Sequence, residues 1–227
     1  MKSSLVILTF NEAAGTKALF ESIPFDKFDE CFVIDPGSTD GTIEFFKEKG
    51  IRVILQDKRG RGEAFRMAAE IARGDILVFL SPDGNENPSD AAKLKEIIGQ
   101  GYDMAIASRF LPQSKNEDFD KAFPLRAWGN RAFTFLADLF FRGNLSDAIN
   151  GFRAIRKDKF KELKINAEGF AVEYQMSIRA MKLRHKVKEI PTIEGKRIGG
   201  VSTAKTFPTG LKLIKVLLRE ILIGNNF

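Results

Sequence analysis

Residues 63–100 read EAFRMAAEIARGDILVFLSPDGNENPSDAAKLKEIIGQ and predict a helix, a buried strand and a second helix in succession. The strand, DILVFLS, is apolar without alternation, which is typical of a parallel strand that is covered on both faces. Short apolar runs and helical patterns alternate in the same way over residues 4–110. Repeated strand–helix units predict an α/β fold with helices on both faces of the sheet, whose ligands gather where the strands end.

The pattern changes after Phe110, where a polar loop precedes predicted helices near residues 125–141, 172–183 and 209–223. A strand, KVKEIPTI, is predicted before the last helix. Because the chain has 227 residues, 44% of them hydrophobic, and no low-complexity linker, we expect one domain over residues 1–227.

The charge balance favours an anionic partner. The chain has 36 basic and 30 acidic residues, a formal net charge of +6, which suits a nucleotide diphosphate, a lipid phosphate or a membrane surface. Cys31 is the single cysteine and lies in the apolar run CFVID. It has no partner for an intramolecular disulfide, so a reducing compartment is permitted.

The amino terminus, MKSSLVILTFNE, has the pattern of a first strand and lacks the basic and long apolar regions of a signal peptide. The most apolar segment, GLKLIKVLLREILIG, contains Lys212, Lys215, Arg219 and Glu220 and does not resemble a spanning helix. We therefore expect a cytoplasmic protein, with peripheral binding at the inner membrane face as a further hypothesis.

Several nucleotide-binding classes lack their signatures here. The turn after the first strand reads TFNEAAGT, without the G-x-G-x-x-G of dinucleotide-binding dehydrogenases. The chain also has no G-x-x-x-x-G-K-[ST] loop for an NTPase. Nucleotidyltransferases that make nucleotide sugars begin with a glycine-rich L-A-G-G-x-G-T-R-type loop, which is missing as well.

Polar residues follow the first two predicted strands. Asn11 and Glu12 end the first strand, where an amide and a carboxylate can bind a ribose or base, and helix capping is the alternative. Asp35 ends the second strand and Asp40 follows in PGSTDGT. We assign both to the nucleotide site, with a simple Asp/Gly turn as the alternative.

The segment KRGRGEAF, residues 58–65, places two glycines and three cations before a helix. A helix amino terminus with nearby cations suits a diphosphate, and an exposed basic turn is the alternative. Arg61 is the candidate contact in this segment.

Six motifs in order resemble the glycosyltransferases of family 2 with the GT-A fold, and the last three are similar to polyprenyl-phosphate sugar transferases such as dolichyl-phosphate mannosyltransferase. The resemblance covers residues from about 4 to 205 and implies a mixed, mostly parallel sheet. It also implies a nucleotide-sugar-binding half, residues 1–110, and an acceptor-binding half, residues 111–227. The motifs are ILTFNEA, VIDPGSTDGT, RGRGEAFRMAAEIARGDILVFLSPDGNENP, ASRF, SDAINGFRAIRKD and IPTIEGKRIGGVS.

The resemblance implies a metal site at LVFLSPDGNENP. Family members usually have D-x-D here, two carboxylates that bind a divalent ion on the diphosphate, whereas this chain has Ser81-Pro82-Asp83. Asp83 with Asn85 is the predicted site for Mg²⁺ or Mn²⁺, because such ions accept carboxylate, amide and phosphate oxygens. The alternative is a turn at the end of a strand, for which these residues are equally suited.

The resemblance also implies phosphate and acceptor contacts. Asp147 in LSDAINGFRAI matches the aspartate of the family's D-x-x-S-G-F-R segment and is expected to activate or position the acceptor, with a turn aspartate before a strand as the alternative. Arg109 and Arg197 are expected at the phosphates, because a guanidinium binds two phosphate oxygens at once. Arg126 and Ser202 are the further acceptor candidates, with a solvated helix face as the alternative for Arg126.

Together these features predict an inverting glycosyltransferase that uses a UDP- or GDP-sugar, with a polyprenyl phosphate as candidate acceptor and no nucleic-acid partner. The alternative is a degenerate GT-A domain that binds a nucleotide sugar or a partner without turnover. The last helix has an apolar stripe beside a basic one, which predicts either a helix packed on the domain or one that lies on an anionic membrane. The apolar stripe comprises Leu211, Ile214, Leu218 and Ile221, and the basic stripe comprises Lys212, Lys215 and Arg219.

Overall fold

The structure is a computed structural model that describes residues 1–120, 124–199 and 206–227. In this part of the chain seven strands form one sheet in the order β3-β2-β1-β4-β6-β5-β7. The strands are β1 (Ser3–Leu8), β2 (Glu30–Asp35), β3 (Arg52–Leu55), β4 (Ile76–Leu80), β5 (Met104–Ser108), β6 (Arg153–Arg156) and β7 (Val187–Pro191).

Only β6 of these strands is antiparallel to its neighbours. It pairs with β4 and β5 in antiparallel register, whereas the other neighbouring pairs of strands are parallel. The sheet is therefore mixed and mostly parallel, which confirms the predicted fold class.

Eight α-helices surround the sheet in the described residues. Seven of them lie where the sequence predicts helices, and the one predicted at 125–141 coincides with the observed helix, whereas the helix at 157–162 was not predicted. They are α1 (Ala13–Leu19), α2 (Thr42–Glu48), α3 (Arg61–Ile71), α4 (Asp90–Gly99), α5 (Leu125–Phe141), α6 (Lys157–Glu162), α7 (Val172–Lys182) and α8 (Thr206–Ile223).

Apolar side chains on both faces of the sheet form the core. One face packs against α3, α6 and α7, with Phe65 stacked on Phe79 at a ring distance of 4.1 Å. The other face packs against α2 and α4. Strands buried on both faces need the unbroken apolar runs seen in the sequence, because every side chain meets a helix.

Helices α5 and α8 pack on α7, away from the sheet. The face of α8 that meets α7 contains Leu213, Leu217 and Glu220, all buried. Within the described residues no helix combines the length and the apolar character needed to cross a bilayer.

Candidate functional site

The carboxyl ends of β1, β4, β5 and β7 open into a cleft of about 540 Å³. Because β6 is antiparallel, its amino end lies at the same edge of the sheet. Clefts of this size are typical of small-molecule sites. Seven of the predicted site residues line the cleft, namely Glu12, Arg61, Asp83, Asn85, Arg109, Arg126 and Arg197.

Glu12, Asp83 and Arg197 meet at one wall of the cleft. Glu12 follows β1 and Asp83 follows the neighbouring strand β4, so both carboxylates lie at the same sheet edge. The Arg197 guanidinium bridges them, since Nη1 donates to Asp83 Oδ2 at 2.7 Å and Nη2 donates to Glu12 Oε1. Burial raises the pKa of Glu12 to about 7, and the ion pair with Arg197 opposes that shift.

Backbone contacts hold Arg197 beside Asp83. The Ile198 N–H donates to the Asp83 carbonyl at 2.7 Å, and the Gly195 N–H donates to the Asn85 carbonyl at 3.1 Å. Gly84 allows this approach, because it has a φ of +98° and a Cβ there would lie 2.6 Å from the Lys196 carbonyl oxygen. The predicted motifs that contain Asp83 and Arg197 lie far apart in sequence and form one structural unit.

The residues predicted to bind a metal supply suitable oxygen atoms. The Asn85 side-chain amide donates to the Gly195 carbonyl at 2.8 Å, and its Oδ1 has no partner among the described residues. Asp83 Oδ1 accepts from the Asn85 N–H at 3.0 Å, and Oδ2 accepts from Arg197. No group of three or more His, Cys, Asp or Glu is placed to hold an ion by itself in the described part of the chain. This donor set fits Mg²⁺, which keeps several waters and takes one or two carboxylates together with substrate phosphates.

Arg61, the first residue of α3, crosses the floor of the cleft. Its Nε donates to Glu173 in the first turn of α7, and its Nη1 donates to Ser81 Oγ at 3.3 Å. Although burial lowers the pKa of Arg61, its pair with Glu173 raises it above the ordinary value. Glu86 accepts from the Ser81 N–H at 2.7 Å, and burial together with the nearby Asp83 raises the pKa of Glu86 to about 8.

Asp147 and Arg109 form a buried ion pair, in which Arg109 lines the cleft and Asp147 does not. Arg109 Nε donates to Asp147 Oδ2 at 2.7 Å, and Nη2 donates to Oδ1 at 3.0 Å. Burial would lower the pKa of Arg109, but Asp147 and then Glu194 raise it. Asp147 is fully buried and also accepts from the Asn150 N–H at 3.1 Å. In this arrangement Asp147 is already occupied in orienting Arg109.

Arg126, in the first turn of α5, also points into the cleft. It donates to Asp118 at 2.5 Å and to Glu117 at 3.0 Å. Burial lowers the pKa of Arg126 and the hydrogen bond to Asp118 raises it, with a net rise. These ion pairs hold the guanidinium at the cleft instead of on a solvated helix face.

Asp35 lies beneath the cleft and does not line it. It is fully buried and accepts from Thr9 Oγ1 and Ser38 Oγ, each at 2.6 Å, and from the Gly37 and Ser38 N–H groups. Both of its oxygens are engaged by the turn between β2 and α2.

Asn11 and Asp40 also lie away from the cleft lining. Asn11 accepts from the Thr39 N–H at 2.9 Å, and Asp40 accepts from the Ala13 N–H at 2.9 Å. These contacts join the turns that follow β1 and β2. Ser202 lies outside the described residues.

Some residues that line the cleft were not predicted as site residues from the sequence. Glu86 directly follows Asn85 and Glu194 lies three residues before Arg197, so their place within the motifs was a signal that could have identified them. Glu173 had no such signal, because tertiary packing alone directs the first turn of α7 toward the cleft. Arg59 lines the cleft and has no carboxylate partner among the described residues, and its Nε donates to the Pro36 carbonyl at 3.2 Å.

A mixed sheet with this edge cleft is the architecture of the GT-A glycosyltransferases. The chain is similar to glucosyl-3-phosphoglycerate synthase from Mycobacterium tuberculosis, with a TM-score of 0.76 and 22% identity over 97% of this chain and 79% of that one. That structure holds Mn²⁺, UDP-glucose and phosphoglyceric acid, and another structure of the synthase holds Mg²⁺ and UDP. At this identity the similarity shows the fold.

The sequence comparison defines the family. Residues 4–164 match the family described as glycosyl transferase family 2, and the chain belongs to this family. It is 30% identical to glycosyltransferase AglJ of Haloferax volcanii over 86% of this chain and 63% of that protein. It is also 30% identical to dolichol-phosphate mannosyltransferase of Pyrococcus furiosus, over 90% of this chain and 60% of that protein. The chain thus spans less than two thirds of the length of these two relatives.

Proposed function

We propose that the chain transfers a sugar from a nucleoside diphosphate to an acceptor phosphate, with inversion at the anomeric carbon. The observation that carries this proposal is the convergence of arginines from separate elements on one cleft at the sheet edge. Five arginines and five carboxylates line the cleft, and ion pairs with carboxylates hold four of these arginines in place. The arginines are Arg59, Arg61, Arg109, Arg126 and Arg197, and the carboxylates are Glu12, Asp83, Glu86, Glu173 and Glu194.

The proposed reaction is an in-line displacement. The bond between the anomeric carbon and the diphosphate breaks with its electron pair on the diphosphate, and an acceptor oxygen forms the new bond on the opposite face. Catalysis would rest on alignment and on stabilisation of the leaving group by guanidinium groups. Arg59, Arg61 and Arg197 are the proposed diphosphate contacts, and Asn11, Glu12, Asp35 and Asp40 shape the nucleoside end directly or through the turns.

The ion pair between Asp147 and Arg109 favours a phosphate over an alcohol as the acceptor group. An alcohol must lose a proton during the transfer, whereas an ionised phosphate needs no general base. Because both Asp147 oxygens are bonded to Arg109, we propose that Asp147 positions this arginine. Arg109, Arg126 and Ser202 are then the proposed contacts of the acceptor phosphate. A polyprenyl phosphate is the proposed acceptor class, in keeping with the name of the P. furiosus relative.

A divalent ion is the proposed cofactor, held by Asp83 and Asn85 with the diphosphate. When bound, Mg²⁺ or Mn²⁺ supplies positive charge that neutralises the leaving group. The two protein oxygens would fix the position of the diphosphate, and Arg197 would remain beside it.

The proposal is tested by measuring free UDP and GDP from a panel of nucleotide sugars, with and without polyprenyl phosphate and Mg²⁺. We expect one donor to release its diphosphate in an acceptor-dependent way, and NMR of the product to show the inverted anomer. The loss of a carboxylate at Ser81 motivates the alternative of a binding domain without turnover. Binding of a nucleotide sugar by calorimetry with no release under any of these conditions would support that alternative.

We also propose that α8 lies on an anionic membrane surface. The stripe predicted from the sequence is largely exposed, since Leu211 is 61% and Leu218 is 55% exposed, while Ile221 is half-buried. Phe207 and Leu222 extend it with 86% and 85% exposure. The basic stripe is exposed beside it. Residues 209, 210 and 213 of the same helix line the cleft, so a lipid-linked phosphate would reach the site from this side.

If α8 forms this surface, we expect the protein to float with phosphatidylglycerol liposomes at low salt and much more weakly with phosphatidylcholine liposomes. The paired change Lys212→Glu and Lys215→Glu should weaken binding by about 30-fold or more, since each cation near an anionic surface contributes about 1 kcal/mol. The control is Lys47→Glu with Lys188→Glu, which alters net charge equally at exposed positions on α2 and β7. The proposed surface would be contradicted if both double variants lost liposome binding equally, or if the unaltered protein did not float with the liposomes.

A further inference from the structure

Glu173 lines the cleft and has a buried oxygen without a hydrogen-bond donor among the described residues. The Glu173 side chain is 2% exposed and lines the cleft from the first turn of α7. Its Oε1 accepts from Arg61 Nε, whereas Oε2 has no partner among the described residues. Leaving a buried acceptor unsatisfied costs about 1–3 kcal/mol. Such a group at a ligand cleft indicates that a ligand supplies the missing donor.

The surroundings fix the orientation of this carboxylate. The Arg61 guanidinium lies 5.6 Å from the ring centres of both Phe65 and Phe170, so it is held between two aromatic side chains. At Gly151 a Cβ would lie 2.1 Å from Arg61 Nη2 and 3.0 Å from Glu173 Oε1. A side chain at this position would therefore disrupt the pair. The free Oε2 is held ready for a ligand before the ligand binds.

Glu173 Oε2 is suited to a hydroxyl group and not to an ionised phosphate. Oε1 of this carboxylate is bonded to Arg61, and Oε2 has no hydrogen-bond donor among the described residues. Phosphate oxygens carry no proton to donate when ionised and are repelled by carboxylates. A neutral group with hydroxyl donors is the ligand that this carboxylate accepts.

We propose that Glu173 Oε2 accepts a hydrogen bond from a hydroxyl of the donor sugar and thereby selects the sugar. This inference rests on the proposed function, because it divides the cleft between a diphosphate at the arginines and a hexose at Glu173. Glu173 is then a specificity-determining residue that touches the substrate. A sugar that lacks the matching hydroxyl leaves Oε2 unpaired and binds less tightly.

The first test uses the unaltered protein and calorimetry with Mg²⁺ present. The nucleotide sugar that binds most tightly is compared with its free diphosphate and with donors from which one hydroxyl at a time is removed. Hydrogen bonds to charged groups predict that one deoxy sugar binds roughly 10- to 100-fold more weakly. If every deoxy donor binds as tightly as the parent sugar, the inference is overturned.

The second test assigns that hydroxyl to Glu173. In Glu173→Gln the penalty for removing the hydroxyl should shrink to about twofold, because the charged acceptor is lost. Glu194→Gln is the matched control, since Glu194 is a mostly buried carboxylate of the same cleft with both oxygens bonded to other groups. In this control the penalty should persist in full. Equal penalties in Glu173→Gln and the unaltered protein overturn the assignment.

These measurements separate the inference from the proposed function. If the unaltered protein binds neither nucleoside diphosphates nor nucleotide sugars, the proposed function fails and the inference fails with it. If nucleotide sugars bind and the deoxy penalty is absent or does not depend on Glu173, only the inference fails. Should Glu173→Gln unfold at a lower temperature than the assay, Glu173→Asp serves in its place, because it keeps the charge and withdraws the oxygen.

Discussion

Asp83→Ala is expected to remove the effect of Mg²⁺ on nucleoside diphosphate binding. In the unaltered protein the affinity for UDP or GDP should rise with Mg²⁺, because Asp83 is the proposed metal ligand at the end of β4. Changes to groups that merely support metal ligands cost about 10- to 100-fold in metal affinity, so loss of the ligand itself should cost roughly 100-fold or more. Calorimetric titrations with and without Mg²⁺ measure this difference directly.

Two further variants separate the charge of Asp83 from its other contacts. Asp83→Asn keeps a side-chain acceptor for the Asn85 N–H but removes the charge and the second acceptor oxygen, so it should resemble Asp83→Ala in its response to metal. Ser81→Asp restores the usual pair of carboxylates and should tighten Mg²⁺ binding. Unchanged metal-dependent affinity in Asp83→Ala would show that the ion, if required, is held elsewhere.

Sequence patterns located the cleft because parallel strands place their carboxyl ends at one edge. Glu12, Asp83 and Arg109 each follow a predicted strand, so their convergence was predictable from strand order alone. Arg197 follows the last predicted strand and is brought to Asp83 by the backbone contacts of Ile198 and Gly195. These contacts depend on tertiary structure that no local pattern encodes.

Strand β6 has the weakest sequence pattern of the seven strands in the described residues. Its sequence, Arg-Ala-Ile-Arg, has no apolar run, and Arg153 within it is fully buried. This guanidinium is satisfied by backbone carbonyls, including those of Asn150 and Glu173 at 2.9 and 3.0 Å. Burial lowers the pKa of Arg153 to about 10. A charged residue in a core strand becomes plausible only when the carbonyls that receive it are known.

Asp35 shows the corresponding difficulty at the site. Its place at the end of β2 suggested a nucleotide contact, yet its oxygens accept hydrogen bonds from Gly37 and Ser38 of the following turn and from Thr9. A sequence pattern can predict that a carboxylate lies at the sheet edge. The direction in which the side chain points depends on the nearest hydrogen-bond donors, which the pattern does not show. Glu173 is the opposite case, because it sits on a helix and reaches the cleft only through packing.

Glu220→Ala is expected to lower the free energy of unfolding by about 3–5 kcal/mol, because it leaves a buried arginine without its counter-ion. Glu220 on α8 is fully buried, as is Arg179 on α7, whose Nε donates to Glu220 Oε1 at 2.9 Å. Lys182 donates to Glu220 Oε2 at 2.7 Å and to the Gly224 carbonyl at 2.6 Å. Urea unfolding at pH 7 measures the loss, and a change below about 1 kcal/mol would contradict a structural role for this network.

The matched control replaces both charges with apolar groups. Arg179→Met combined with Glu220→Leu should recover most of the lost stability, because apolar replacement of a buried pair is often neutral or stabilising. If the double variant has no higher free energy of unfolding than Glu220→Ala, the shape of these side chains, and not their charge, determines how α8 packs. Since residues 209, 210 and 213 of α8 line the cleft, nucleotide affinity should follow stability across this series.

The same network makes stability depend on pH. Burial would raise the pKa of Glu220, but Arg179, Lys182 and Gln175 lower it below its ordinary value of 4.5. The folded protein therefore holds this proton more weakly than the unfolded chain does, so the ion pairs stabilise the fold fully above pH 4.5 and less as the pH falls below it. Glu220→Gln has no proton to bind at this position, and its unfolding free energy should fall less steeply in acid than that of the unaltered protein. Parallel curves for the two proteins would show that other carboxylates cause the acid sensitivity.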